Sequence, residues 1–170
     1  MDQRPKIKPA LSKTDRFVEI LCIILLFILW AAAIGIYIFS PDIIPVHFDL
    51  AGNINRYGNK ITIFSLPIIA TIIFAGITWL GKYPHIFNYM VPITPENALL
   101  QYTHATRLLR YLKLIVVFIF TWLVFFSYPP IAGSTKGLGI WFFPVMITLL
   151  LLPTIYFLKK SLKKKCKNHS

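Results

Sequence analysis

Acidic side chains are scarce. The 170-residue chain carries 6 Asp and Glu against 18 Lys and Arg, a formal net charge of +12. Only 14% of residues are charged and 56% are hydrophobic, which excludes the surface of an ordinary soluble domain. Cysteine is almost missing as well. Cys22 falls in an apolar run and Cys166 in a basic tail, so no disulfide and no paired-cysteine metal site is expected. The chain has no phosphate-cradling glycine loop, no zinc-protease helix and no nucleophile in a recognisable setting. No catalytic residue is nominated, no cofactor is expected, and an enzyme is the lesser reading. The basic excess does not point to nucleic acid, because Lys and Arg cluster beside apolar runs, the pattern of a membrane surface.

Long apolar runs, by contrast, are plentiful. A membrane-spanning helix needs about 20 such residues. Residues 20–39, 61–80 and 138–158 meet that length, and residues 114–128 do so when lengthened at their start, where Lys113 can snorkel. None alternates in polarity as a barrel strand would. The first run stays apolar past its Ala31-Ala32-Ala33 stretch, so it reads as an uncleaved span rather than a signal peptide. Pro67, Pro144 and Pro153 fall within spans and are expected to bend them. Glu19 and Lys113 sit at span edges, so no span is expected to carry a buried charge, which argues against a pump or secondary transporter.

The positions of Lys and Arg orient the spans. Fifteen lie in the N-terminal segment 1–19, the connection 81–113 and the tail 159–170, and three lie in segments 40–60 and 129–137. Both termini are expected in the cytoplasm, with the chain crossing its membrane several times. The fold class is then all-α integral membrane: four transmembrane helices, a small extracytoplasmic hairpin-like loop, and a cytoplasmic amphipathic helix leading into the third span.

Polar chemistry concentrates in the outer loop, residues 40–60, "SPDIIPVHFDLAGNINRYGNK". Pro41 and Pro45 favour extended chain, and Gly52 and Gly58 allow it to turn. "VHF" and "INRY" read as strands of a hairpin that must rest on the spans. Strand periodicity places His47 and Asp49 on one face, with Asn53 and Asn55 nearby. One reading has these groups bonding the loop's own backbone. Another makes His47 and Asp49 the first ligands of a metal ion, although good sites need three or four.

The pattern Pro41, Ile44, Pro45, Val46, His47, Phe48, Asp49, Gly52, Tyr57, Gly58 and Lys60 resembles the signature of a bacterial membrane family of unknown function. That domain also forms the front part of SdpI-type immunity proteins, which protect producing cells against a secreted toxin and signal its presence. The resemblance covers about a third of the chain. It implies Pro45, His47, Phe48, Asp49, Gly52, Asn53, Tyr57, Gly58 and Lys60 as a motif or binding loop. The later SdpI stretch with an Arg-Thr pair is missing: "AGSTKGLGIW" has none.

In the inner connection, "TPEN" starts a helix: Thr94 caps, Pro95 suits the first position and Glu96 faces the positive helix end. Ala98, Tyr102, Ala105, Leu109 and Leu112 form an apolar stripe. Arg107, Arg110 and Lys113 lie on another side and, with Lys163, Lys164 and Lys165 of the tail, are expected to meet anionic lipid headgroups. Asn88, Glu96, Asn97 and Gln101 are a candidate polar cluster, although capping alone accounts for two of them. "FNYMVPITPENALLQY" resembles a stretch common in the same family. Three functions follow as expectations. The first is a non-enzymatic membrane protein whose outer loop recognises a toxic peptide or a membrane-protein partner. The others are a metal-binding module or metal-dependent enzyme, and a structural subunit of a membrane complex.

Overall fold

The computed structural model describes residues 4–129 and 137–163, the side chain of Lys163 excepted. The headgroup role expected of Lys163, Lys164 and Lys165, most of the 129–137 turn and Cys166 therefore fall outside the described residues. Cys22 is buried and free.

Helix α1 (Lys13–Phe39) begins well before the apolar run because Ser12 and Asp15 form a capping box. The Asp15 N–H donates to the Ser12 hydroxyl at 3.1 Å, and the Asp15 carboxylate accepts from Ser12 N at 2.9 Å and Oγ at 2.6 Å. Asp15, Cys22, Leu29 and Ile36, seven apart, lie on the buried seam of α1. The last three meet Ala70, Val117 and Val124 in the core.

Strands β1 (Ile43–Phe48) and β2 (Ile54–Asn59) then pair antiparallel, as the loop's prolines and glycines imply. A 3-10 turn at Lys60–Phe64 leads into α2 (Ser65–Leu80), and another at Pro84–Ile86 precedes α3 (Pro95–Phe126). Helix α4 (Phe142–Lys163) closes the described chain. The proline expectation needs correcting. Pro67 and Pro144 fall in the first turns of α2 and α4, where no N–H is needed, and only Pro153 stands inside a helix.

Four helices are long and apolar enough to cross a membrane, at Lys13–Phe39, Lys60–Leu80, Pro95–Phe126 and Phe142–Leu162. Large apolar side chains such as Phe27 and Ile72 point outward from them, as in a lipid-facing surface. The chain is thus built as a multi-pass helical membrane protein with one two-stranded sheet. Helix α3 is the hub and packs against α1, α2 and α4. Its 32 residues extend about 48 Å, well beyond a hydrocarbon layer of about 30 Å.

The hub position changes the expected faces of α3. Ala98 and Tyr102 are buried as the stripe predicts, whereas Ala105, Leu109 and Leu112 are only half-buried. The buried face instead includes Gln101, Thr106, Lys113 and Thr121. A helix surrounded on three sides has no single apolar face for periodicity to find.

Candidate functional site

Two polar assemblies stand at opposite ends of the bundle. At the hairpin end, the turn between the strands is built by its own side chains. Asp49 Oδ1 accepts from Asn53 N at 2.8 Å and Oδ2 from Asn53 Nδ2 at 3.2 Å. Gly52 N donates to Asp49 O and Asp49 N to Asn53 O, each at 2.9 Å. Strand register shifts on both sides of His47 break the simple alternation. His47 Nδ1 lies 2.6 Å from Asn55 Oδ1. Each expected ligand is thus taken by a different asparagine. Among the described residues, no group of three or more His, Cys, Asp or Glu comes together that would hold a metal ion.

The other motif residues also have structural positions. Lys60 Nζ lies 3.1 Å from Asp42 Oδ1, donates to Ser40 O at 3.4 Å and stands 5.3 Å from the Tyr37 ring, so it ties the hairpin's base to the end of α1. Pro45 is fully buried opposite Tyr57 in the strand register. Phe48 packs on Leu138, Phe142 and Met146. Gly58 lies flat against Val46, whose Cγ2 would be 3.1 Å from an added Cβ. Gly52 has φ +82° and meets the segment before α4: Leu138 N donates to Gly52 O at 2.7 Å, and Asn53 forms a bridge with Gly137. Two large side chains with apolar area stand outward, Leu50 82% and Tyr57 59% exposed, among exposed polar ones at His47, Asn53, Asn55, Arg56 and Asn59.

The backbone N–H of Asn53, then its side-chain amide, hold the Asp49 carboxyl below the usual carboxylate range. A carboxyl depressed in the folded state stabilises above its unfolded pKa, and that contribution is lost as pH falls through its folded pKa. Acidification is expected to lower the protection of the Asn53 amide against hydrogen exchange, measured relative to the intrinsic rate at each pH. Asp49→Asn should speed that exchange already at neutral pH and remove the acid step, as read by mass spectrometry of the hairpin peptide.

At the opposite, basic end lies an assembly that hydropathy alone does not reveal. Asp15 and Glu19, four apart on α1, face Arg107, Arg110 and Lys113, three apart on α3. Arg107 Nε donates to Asp15 Oδ1 at 3.0 Å and Nη2 to Oδ2 at 3.3 Å. Arg110 Nε is 3.2 Å from Glu19 Oε1, with Nη1 3.9 Å from Asp15 Oδ1. Lys113 Nζ donates to Glu19 Oε2 at 2.6 Å and to Thr78 Oγ1 of α2 at 3.0 Å, and it stands 4.5 Å from the Phe74 ring.

Lys113 is only 1% exposed on its side chain. It therefore does not reach headgroups as expected, and the expectation that no span carries a buried charge is overturned. Helical Cβ atoms tilt toward the N-terminus, so Lys113 snorkels in the foreseen direction, but Glu19 intercepts it. Counting about 20 residues back from Phe126 places the hydrocarbon boundary near Arg107. The Lys113 backbone then lies about 10 Å inside it.

The candidate cluster of Asn88, Glu96, Asn97 and Gln101 does not assemble. Asn97 serves the start of α3: Oδ1 accepts from Thr94 N at 3.0 Å and Nδ2 donates to Pro92 O at 2.9 Å. Glu96 stands exposed in the same first turn. Gln101 turns to α4, where Nε2 donates to Ser161 O at 3.2 Å and Oε1 accepts from the Ser161 hydroxyl. Asn88 and Gln101 do share the lining of a cavity of about 310 Å³ with His104.

A larger cleft, about 670 Å³, opens beside the charge ladder, with Asp15, Arg107, Tyr111, Phe157 and Lys160 on its walls.

Residues 23–71 match the family model of a domain of unknown function (DUF1648). No curated protein and no solved structure matches the chain. The matched stretch runs from α1 through the hairpin into α2. All of the charge ladder, from Asp15 and Glu19 to Thr78 and the α3 bases, lies outside it.

Proposed function

We propose that this is a small non-enzymatic protein of the bacterial plasma membrane, with both termini cytoplasmic, whose hairpin recognises the apolar part of a secreted peptide or of a partner's outer segment. An SdpI-like role in immunity or sensing is the form this takes. The observation that carries the reading is how the hairpin spends its groups. Asp49, Asn53, His47, Asn55 and Lys60 are occupied in holding the loop. Leu50 is held outward on a turn fixed to the start of α4, and Tyr57 on β2. A preorganised apolar surface binds without the cost of ordering itself. The orientation rests on the fifteen-to-three distribution of Lys and Arg.

The test uses matched bacterial strains with and without the gene, exposed to secreted peptide toxins of competing cells. Leu50→Asp with Tyr57→Ala is expected to abolish any protection or signalling that the unaltered chain confers, at equal membrane abundance. Undiminished protection by that variant would remove the hairpin surface from the function. His47→Ala is expected to weaken protection only as far as it loosens the turn.

A further inference from the structure

The geometry points to a binding site for one anionic phospholipid in the cleft at the basic end, with the lipid phosphate between Arg107 and Lys160. The charge balance is the first observation. The ladder sets three bases, Arg107, Arg110 and Lys113, against two acids, Asp15 and Glu19. One positive charge is left over, and Lys160, exposed on α4 at the same cleft, adds a second. Among the described residues, Asp15 is the only carboxylate on the wall of this cleft, and its oxygens are engaged by Ser12 and by Arg107. Glu96 lines a neighbouring cavity of about 610 Å³, which shares Arg107 and Lys160 with the cleft.

The second observation is the shape and chemistry of the cleft. Its volume of about 670 Å³ suits a headgroup and the upper part of its chains, not a whole two-chain lipid. Below the bases the wall turns apolar and aromatic through Tyr111, Leu152, Tyr156 and Phe157. Helix α4 packs chiefly on α3, so the space between α1 and α4 is open sideways, toward where acyl chains lie. Depth is the third. Arg107 stands about 20 residues before the end of α3, at the level of a hydrocarbon boundary, and Tyr and basic side chains favour that level. A soluble phosphate compound would meet the same two bases but would leave the apolar wall uncovered.

The experiment uses the full chain in nanodiscs of phosphatidylcholine containing a minority of phosphatidylglycerol with the same acyl chains, released for native mass spectrometry. One phosphatidylglycerol is expected to stay bound in preference to phosphatidylcholine. Lys160→Gln should weaken retention about fivefold, the equivalent of one basic contact near the membrane surface. Leu152→Trp, which fills the apolar wall from an exposed position, should weaken it as well. Ile147→Trp, exposed on α4 and away from the cleft, should not. Equal retention of both lipids, or unchanged retention in both cleft variants, would overturn the proposal. Displacement of the lipid by millimolar inorganic phosphate would overturn it too, by assigning the bases to a soluble anion.

Discussion

Replacing Glu19 with alanine is expected to destabilise the folded bundle by about 3–5 kcal/mol, the usual result of leaving a buried charge without its partner. The orphan is Lys113, which has 1% side-chain exposure, with Thr78 and the Phe74 ring as its other neighbours. A hydroxyl and an aromatic face do not neutralise an ammonium group. The reverse substitution should be milder. Lys113→Met leaves Glu19 27% exposed and still beside Arg110, so its carboxylate keeps both water and a guanidinium. Combining Glu19→Ala with Lys113→Met should recover much of the loss, since apolar replacement of a buried pair is often neutral or better. Thermal unfolding of the four proteins in one detergent, read as a double-mutant cycle, checks the order. If Glu19→Ala and Lys113→Met cost the same, the lysine is not relying on that carboxylate.

The second large effect is expected at Gly52. Its φ of +82° costs a side-chain-bearing residue about 1–2 kcal/mol. In addition, a Cβ there would run into the backbone of Gly139, which has no flexible end to move aside. Gly52→Ala should therefore break the link from Gly52 O to Leu138 N and lift the hairpin off the start of α4. Gly139 makes the control. It also has positive φ, +79°, but an added Cβ there meets nothing within 4 Å, so Gly139→Ala should show only the conformational cost. Limited proteolysis of membranes from the hairpin side should cut Gly52→Ala near residues 50–56 far faster than Gly139→Ala. Equal cutting of the two would show that close approach at Gly52 does not hold the hairpin down.

The parts of this fold that sequence made visible are those set by neighbours along the chain. Four apolar runs announce four helices because the length requirement is local. Pro45, Gly52 and the short alternating stretches announce the hairpin for the same reason, and Thr94-Pro95 announces the start of α3. The residues that escaped reading are those whose meaning depends on a distant partner. Asp15 and Arg107 are 92 positions apart. Acids four apart on one helix and bases three apart on another were the available signal, but one-dimensional hydropathy scores each as a flanking charge. Lys113 shows the limit most clearly, since its outward or inward direction is decided by which helix lies beside it. Within the hairpin, the polar residues were visible, whereas their pairing was not: the register shifts beside His47 send it to Asn55 and leave Asp49 to Asn53. The tight approach of Gly52 to Gly139 likewise exists only once α4 is in place.

That α3 is the helix on which the others rest bears on how the molecule is made. During translation, α1, the hairpin and α2 leave the ribosome first. Until residues 107–113 follow, Asp15 and Glu19 have none of the basic partners that hold them in the finished bundle. Waiting acids are better kept at the water boundary than drawn into lipid, and the cap at Ser12 holds Asp15 there. The nascent chain thus holds half of an electrostatic latch open and closes it only when its third helix arrives.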